Sequence, residues 1–298
     1  ARQVRIEVDQ GRSLGLVETY AELETGKSLP PATAVRGRLF VVAIGINRFV
    51  NVPADRKDRL QDLEFAAQDA QAFSEAMQRA SRGLYREVKT VLLNDTSAAR
   101  PDKQEIRKAL ATLQDAGPDD TVMVFLASHG FSDRAGNYFF MTRDGQYNDV
   151  KTVVESDSAA GSTPSLIEGE EFFGALRQVA GRRILVVDTC HARRIEGLVD
   201  THSLRKRSAA SSLAFMVAAK GNEESQEYAP AGHGLFTYAL LESLKPSADA
   251  NGDGKVSLRE AFESLAPMVQ RLRARGLRQT PQLIAPEALI GQTLLAFR

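Results

Sequence analysis

Hydrophobic residues in this chain are grouped into short, nearly continuous runs separated by stretches of helical periodicity. Leu39–Ile46 is one such run, and shorter runs cover residues 88–93, 122–126, 184–187 and 213–219. Runs that are apolar at consecutive positions are typical of strands buried on both faces of a parallel sheet. Tyr138–Met141 has the pattern of a shorter hairpin arm.

The intervening segments carry apolar residues at helical spacing. Such spacing begins at Leu63 and continues to Met77, and it recurs in later segments at 101–113, 168–179, 235–244 and 258–272. Residues 142–167 are rich in Ser, Asp and Gly, which predicts a loop. The alternation of strands and helices predicts an α/β fold, a three-layer sandwich with a mainly parallel central sheet flanked by helices.

The pattern is weaker before residue 38. Val4, Ile6 and Val8 alternate with charged residues, as in a half-exposed strand, but the rest of this segment has no clear periodicity. We therefore predict that residues 1–37 form a lead-in or linker and that residues 38–298 form one domain.

Composition narrows the possible functions. Lys plus Arg equal Asp plus Glu, 38 against 38, which argues against a general nucleic-acid partner or a polybasic membrane surface. No stretch approaches the roughly 18–20 apolar residues of a membrane-spanning helix. One cysteine excludes an intramolecular disulfide and a Cys-rich metal site. It fixes no compartment, although the cytoplasm is slightly favoured, and we expect a monomer without an organic cofactor.

The candidate chemistry lies at the ends of two apolar runs. Run 121–128 is followed by His129 and Gly130, and run 182–189 is followed by Cys190, the single cysteine. In open α/β sheets the carboxyl ends of strands build the ligand site. A thiol attacks as thiolate, which a nearby imidazole supports by taking its proton. Glycine after the histidine allows close backbone approach, and its N–H is suited to binding an oxyanion.

Cys190 and His129 have interpretations other than a catalytic pair. A single buried Cys or His is more often part of the core than a catalytic group, but the paired strand-end placement favours a Cys/His site. A Cys-x5-Arg phosphatase needs an arginine where this chain has Glu196. His191 adjoins Cys190 and points away from it along a strand, whereas His233, in a Gly-His-Gly segment, is a weaker alternative base.

These residues resemble the motifs of a known family. Ser128-His129-Gly130 and Asp188-Thr189-Cys190-His191-Ala192 are similar to the His-Gly and Asp-x-Cys-His-Ser-Gly motifs of caspase-like peptidases, above all metacaspases and their bacterial relatives. Arg193 stands where the family usually has Gly, and Gln68 where it has Asn before Asp69. The resemblance covers about residues 38–290. It implies a caspase–hemoglobinase fold and a cysteine endopeptidase.

Two aspartates are candidates for a substrate pocket. Asp188 lies two residues before Cys190, and a carboxylate there raises the pKa of a thiol, so we expect it to serve the substrate by binding Arg or Lys at the cleavage position. The resemblance implies that Asp69 shares this pocket. The alternatives are that Asp188 caps the following turn and that Asp69 caps or pairs locally on its own helix.

Residues 249–260 fit the twelve-residue EF-hand pattern. Side-chain oxygens at four positions, a backbone carbonyl at a fifth and a bidentate carboxylate at the last predict a structural Ca²⁺ site formed by Asp249, Asn251, Asp253, Lys255, Ser257 and Glu260. The alternative is a polar turn between two helices.

The basic stretch after Cys190 contains candidate self-cleavage sites at Arg205, Lys206 and Arg207. Its low apolar content predicts an exposed loop that an enzyme specific for basic residues would cut, although a solvated run of charges has the same composition. Two functions follow. The first is an endopeptidase that acts on proteins or peptides with basic cleavage positions. The second is a non-catalytic caspase-like interaction module within a larger regulatory protein.

Overall fold

A computed structural model provides the structure of the chain. It describes residues 2–5, 16–21, 37–56, 60–191, 208, 213–220 and 223–297, and at 2–5, 16–21, 190–191 and 297 it describes the backbone alone.

The strands of the described residues are β1 Arg2–Arg5, β2 Leu16–Ala21, β3 Arg38–Gly45, β4 Glu87–Asn94, β5 Thr121–Ser132, β6 Tyr138–Phe140, β7 Ile167–Glu168, β8 Arg182–His191, β9 Leu213–Val217, β10 Glu227–Tyr228, β11 His233–Gly234, β12 Lys255–Ser257, β13 Gln282–Pro286 and β14 Leu294–Phe297. The α-helices are α1 Ala66–Ala80, α2 Lys103–Ala111, α3 Tyr147–Glu155, α4 Gly169–Arg177, α5 Leu235–Glu242, α6 Leu258–Leu272 and α7 Glu287–Gln292.

The main sheet has the order β1-β2-β13-β9-β8-β5-β3-β4. Its centre is parallel from β9 to β4, and β13 pairs with β9 in the antiparallel direction. Strands β3, β5 and β8 are buried on both faces, as their continuous apolar runs predict.

Helices cover both faces of this sheet. One hydrophobic cluster contains the apolar faces of α1, α5 and α6, and the other contains those of α2, α3 and α4. The α/β three-layer architecture with a mainly parallel sheet is therefore confirmed. No helix among the described residues combines the length and apolar character needed to span a bilayer.

Two strands lie within residues 1–37, the segment predicted to form a lead-in or linker. Strands β1 and β2 pair with each other, and β2 continues the main sheet by pairing in parallel with β13. A short strand without strong periodicity is stable here because its backbone bonds to an edge strand that would otherwise expose unpaired groups.

The prediction of a loop over residues 142–167 was wrong in part, because α3 occupies Tyr147–Glu155. Its sequence is rich in polar and β-branched residues, which have modest helix propensity. Val150 and Val153 are buried against the sheet, and Asp149 accepts two hydrogen bonds from Ser165. Tertiary contacts that local pattern does not reveal therefore stabilise this helix.

Gly45, the last residue of β3, sets the position of α1. A Cβ atom at Gly45 would lie 2.0 Å from the carbonyl oxygen of Ala66, the first residue of the helix. The missing side chain therefore lets the start of α1 lie directly on the end of β3. This contact positions Asp69, one turn into the helix, over the carboxyl edge of the sheet.

Candidate functional site

The site begins with the register between β5 and β8. These strands pair in parallel over ten residues, and His129 is the direct backbone partner of Cys190. Neighbouring strands lie about 4.8 Å apart, so the two Cα atoms are nearest neighbours across the sheet. The side chain of Cys190 lies outside the described part of the structure. The backbone nonetheless brings the two predicted catalytic residues together at the carboxyl edge.

His129 is held in one orientation. Its side chain is buried, with 5% of the residue exposed, and its ring lies 4.9 Å from the ring of Phe49. Nε2 lies 2.7 Å from the carbonyl oxygen of Gln61. Because a carbonyl oxygen can only accept a hydrogen bond, Nε2 carries the proton, and Nδ1 is the basic nitrogen of the neutral ring.

Gly130 packs closely against the side chains of Tyr138 and Thr189. A Cβ atom there would lie 2.7 Å from Cε2 of Tyr138 and 2.9 Å from Oγ1 of Thr189. A side chain at this position would have to displace the buried ring of Tyr138 or the Thr189 hydroxyl. Internal packing therefore accounts for the glycine, and the predicted oxyanion role of its N–H stays a prediction.

Asp188 points into the protein between the sheet and α5. Only 6% of the residue is exposed, and its carboxylate accepts hydrogen bonds from Ser225 Oγ at 2.6 Å and Thr237 Oγ1 at 2.5 Å. Burial raises the pKa of Asp188, and the two hydroxyl donors oppose that rise. Neither donor belongs to the turn that follows the strand, so these contacts are not those of a turn cap.

Asp69 makes no cap for its helix. The N-cap position of α1 is Phe65, without a side-chain bond. The Asp69 carboxylate instead bonds to residues far along the chain, with Nδ1 of His233 2.6 Å from Oδ1 and the N–H of Gly234 3.0 Å from Oδ2. His233, weighed above as an alternative base, therefore contacts an acidic side chain of the predicted pocket.

The two carboxylates converge on Gly234. A Cβ atom at Gly234 would lie 3.0 Å from Oδ2 of Asp188 and 3.0 Å from Oδ2 of Asp69. Burial, followed by repulsion from Asp188, raises the pKa of Asp69 to about 7, although His233 and the Gly234 amide favour its charged form. Two buried carboxylates that face one point are suited to binding a cation.

Comparison with known protein families agrees with this geometry. The model of a family described as the caspase domain matches residues 38–288. The chain belongs to the caspase domain family. Members of this family are cysteine peptidases, which supports a cysteine-protease function and implies protein substrates for this caspase domain.

Solved structures show the same fold at low sequence identity. Caspase-1 from Spodoptera frugiperda is 11% identical, with a TM-score of 0.57 over 93% of this chain and 97% of that protein. Protein GSU0716 from Geobacter sulfurreducens is 16% identical, with a TM-score of 0.55 over 87% and 99% of the two chains. No curated protein sequence matches the caspase domain described here at a significant level.

Several residues of this site carry no signal in the sequence. Gln61 lies in a segment without periodicity, and Ser225 and Gln279 lie in polar stretches that carry no motif, so no local signal indicates them. Gly234 is the N-cap residue of α5, and Thr237 lies in the first turn of this helix. Their contacts with the aspartates depend on pairing between distant parts of the chain.

The predicted calcium loop closes on itself. Asp249 accepts bonds from the amides of Gly252 and Gly254, while Asn251 and Asp253 each accept one from the amide two residues on. Glu260 accepts bonds from the amides of Ala250, Asn251 and Ser257 and forms a capping box with Ser257 at the start of α6.

The acidic side chains of the loop are engaged in these hydrogen bonds. Within the described ranges, no group of three or more His, Cys, Asp or Glu side chains lies close enough to hold a metal ion. The carboxylates of Asp249, Asp253 and Glu260 would have to move together to form one. The described geometry is that of a hydrogen-bonded turn, and Ca²⁺ binding stays a prediction.

Glu260→Ala should lower the free energy of unfolding by about 1–3 kcal/mol in the presence of chelator, because three backbone amides lose a buried acceptor. Thermal melts measure this loss. Glu263→Ala, at an exposed position of the same helix, is the control and should change stability by less than about 0.5 kcal/mol.

The same thermal melts test whether the loop binds Ca²⁺. Excess Ca²⁺ raises the melting temperature of the wild-type protein if the folded loop binds it, and Glu260→Ala then removes that rise. Equal melting temperatures with Ca²⁺ and with chelator would show that the loop is only a turn.

Proposed function

We propose that this protein is a cysteine endopeptidase that cleaves proteins or peptides after Arg or Lys. The observation that carries this proposal is the convergence of the Asp69 and Asp188 carboxylates on Gly234. Asp188 lies on β8, the same strand that places Cys190 beside His129. A peptidase that cleaves after Arg or Lys requires a nucleophilic thiol next to an acidic substrate pocket.

Cys190 is the proposed nucleophile and His129 its base. The sulfur of Cys190 adds to the carbonyl carbon of the scissile bond while its proton passes to Nδ1 of His129. The C–N bond then breaks, and the departing amine takes the proton from His129. A water molecule, deprotonated by the same ring, hydrolyses the thioester. The Gln61 carbonyl supports this role because it fixes the tautomer.

Asp188 and Asp69 are the proposed contacts for the basic side chain of the substrate. Both are buried, and burial raises the pKa of each. A guanidinium or ammonium group that enters the pocket offsets this desolvation, whereas an acidic or apolar side chain does not. Glu227, on β10, adds a further negative charge near Asp188.

Cys190→Ala should abolish peptide hydrolysis, with a loss of at least about a thousandfold in kcat, because no other thiol exists in the chain. His129→Ala should reduce kcat by about 10²–10⁴-fold. Both are measured with a fluorogenic arginine peptide under reducing conditions.

His191→Ala is the matched control, since this histidine adjoins Cys190 without being the proposed base, and it should retain activity. Unchanged melting temperatures would show that the variants fold. Hydrolysis at the wild-type rate by Cys190→Ala would contradict the assignment. An inactive wild-type protein would favour the non-catalytic interaction module instead.

Asp188→Asn should lower kcat/KM for arginine substrates by about 30-fold or more, because it removes a buried charge that pairs with the substrate. Asp69→Asn should act in the same direction. A peptide library with all side chains at the cleavage position measures both the preference and its loss.

Glu75→Gln is the control for Asp69→Asn, since Glu75 lies on the exposed face of the same helix. Its library profile should equal that of the wild type. A wild-type preference for Asp at the cleavage position would show that the pocket is assigned wrongly.

We further propose that the enzyme cuts itself between residues 193 and 212. The basic residues Arg205, Lys206 and Arg207, together with Arg193 and Arg194, lie outside the described residues. The proposal therefore rests on their composition and on the specificity argued above.

Wild-type protein should produce new N-termini within this segment during incubation, whereas Cys190→Ala protein should stay intact, because the cut needs the thiol. Mass spectrometry of the two samples measures the difference. A wild-type chain that remains whole between 193 and 212 while active on peptides would overturn self-cleavage as a requirement.

A further inference from the structure

The Asp188 carboxylate accepts hydrogen bonds from neutral donors. Each of its oxygens accepts a short hydrogen bond from a hydroxyl group, Ser225 Oγ on Oδ1 and Thr237 Oγ1 on Oδ2. Thr237 and Asp188 are both buried. An ionised carboxylate accepts on both oxygens, so two hydroxyl groups that donate to it stabilise the charged form of Asp188.

A third residue orients one of these hydroxyls. Nε2 of Gln279 donates to Ser225 Oγ at 3.1 Å and to the carbonyl of Ala218 at 3.3 Å, while its Oε1 accepts the Gln226 N–H at 3.0 Å. These partners fix which end of the amide faces the serine. Because Ser225 Oγ accepts from Gln279, its own proton is directed to Asp188.

The second pocket carboxylate has a different environment. Asp69 bonds to an imidazole and a backbone amide, and its charge is therefore coupled to a titrating group. The hydroxyl and amide groups around Asp188 keep their hydrogen-bonding character at every pH at which the protein folds. The pocket therefore combines one carboxylate that depends on protonation of a histidine with another that does not.

We propose that Ser225, Thr237 and Gln279 are positioning residues that keep Asp188 ionised and oriented toward the basic side chain of the substrate. This inference rests on the proposed specificity for Arg or Lys. It assigns to three residues, none of which carries a charge, the task of setting the charge of the pocket.

The physical reason is the cost of burial. A carboxyl group removed from water without donors becomes neutral at physiological pH, and a neutral pocket does not select a cation. Hydrogen bonds to a charged group contribute more than neutral ones, so loss of one hydroxyl makes protonation of Asp188 easier. Selection of arginine then requires a higher pH.

Other titratable groups on the elements around Asp188 contribute to any pH dependence. They are Asp69 on α1, His129 on β5, Cys190 on β8, Glu227 and Tyr228 on β10, His233 on β11 and Tyr238 on α5. A test must therefore compare ligands that differ only in charge, so that effects of these groups common to both ligands cancel.

The test measures binding of two peptides to the full chain carrying Cys190→Ala, which removes turnover and the titration of the thiol. One peptide has arginine at the cleavage position. The other has citrulline, which has the same shape without the charge. Calorimetry from pH 6 to 9 gives the ratio of the two affinities.

Thr237→Val removes the hydroxyl while keeping the side-chain shape, and it should lower the arginine-over-citrulline ratio at pH 7 by about tenfold. The ratio should recover as the pH rises, because Asp188 ionises at a higher pH. Ser225→Ala should act in the same way, and Gln279→Met should produce a smaller loss.

Thr237→Ser retains the donor and should keep the reference ratio and pH profile. Ser243 directly follows the same helix, and its buried hydroxyl donates to the carbonyl of Leu240. Ser243→Ala should also leave the affinity ratio and its pH profile unchanged. Melting temperatures identify any variant that fails to fold, and Ser225→Ala then tests the inference independently of Thr237→Val.

The outcomes separate this inference from the proposed function. Equal binding of the two peptides to the Cys190→Ala protein would overturn both. A strong arginine preference in that protein that persists in folded Thr237→Val and Ser225→Ala proteins, with an unchanged pH profile, would overturn the inference alone. A loss that does not recover at high pH would assign these residues to pocket shape and would also overturn it.

Discussion

The pairing of β5 with β8 is the constraint on which the rest of the site depends. It is a backbone interaction, and its register makes His129 the partner of Cys190 and Ala127 the partner of Asp188. A slip of one residue would turn every side chain of a strand to the opposite face of the sheet. The buried apolar residues on both faces of these strands therefore fix the relative positions of His129 and Cys190 as well as the core.

The pocket carries an electrostatic cost that the fold partly offsets. Asp69 and Asp188 are withdrawn from water and repel each other, and burial raises the pKa of both. The protein reduces this cost with a histidine and a backbone amide on one carboxylate and two hydroxyls on the other. In the function proposed above, a positive group of the substrate would offset the cost that remains.

Much of the fold could be predicted from the sequence because its central strands are buried on both faces. The runs that became β3, β5 and β8 are continuous and apolar, and α6 occupies the predicted residues 258–272. Helix α3 and strand β13 were missed, since tertiary contacts and sheet pairing stabilise them without a strong local pattern.

The residues of the candidate site could be predicted from the sequence only where they follow an apolar run. Cys190, His129 and Asp188 follow apolar runs, and their strand-end positions indicate them. Gln61 hydrogen-bonds to His129, 68 positions away, and Ser225 hydrogen-bonds to Asp188, 37 positions away. Gln279 acts on Asp188 through Ser225, which lies 54 positions from it. Polar residues in irregular segments give no periodic signal, so only the folded chain reveals these contacts.

The pocket is assembled from both sides of the segment that links β8 to β9. Asp69, His129, Cys190 and Asp188 precede this segment, whereas Ser225, His233, Gly234, Thr237 and Gln279 follow it. A break in the linker would divide the protein into two complementary halves, one with the proposed catalytic residues and the two aspartates and the other with the groups that hydrogen-bond to those aspartates. Neither half alone holds a complete pocket, and the hydrogen bonds of the pocket would then act as contacts between subunits.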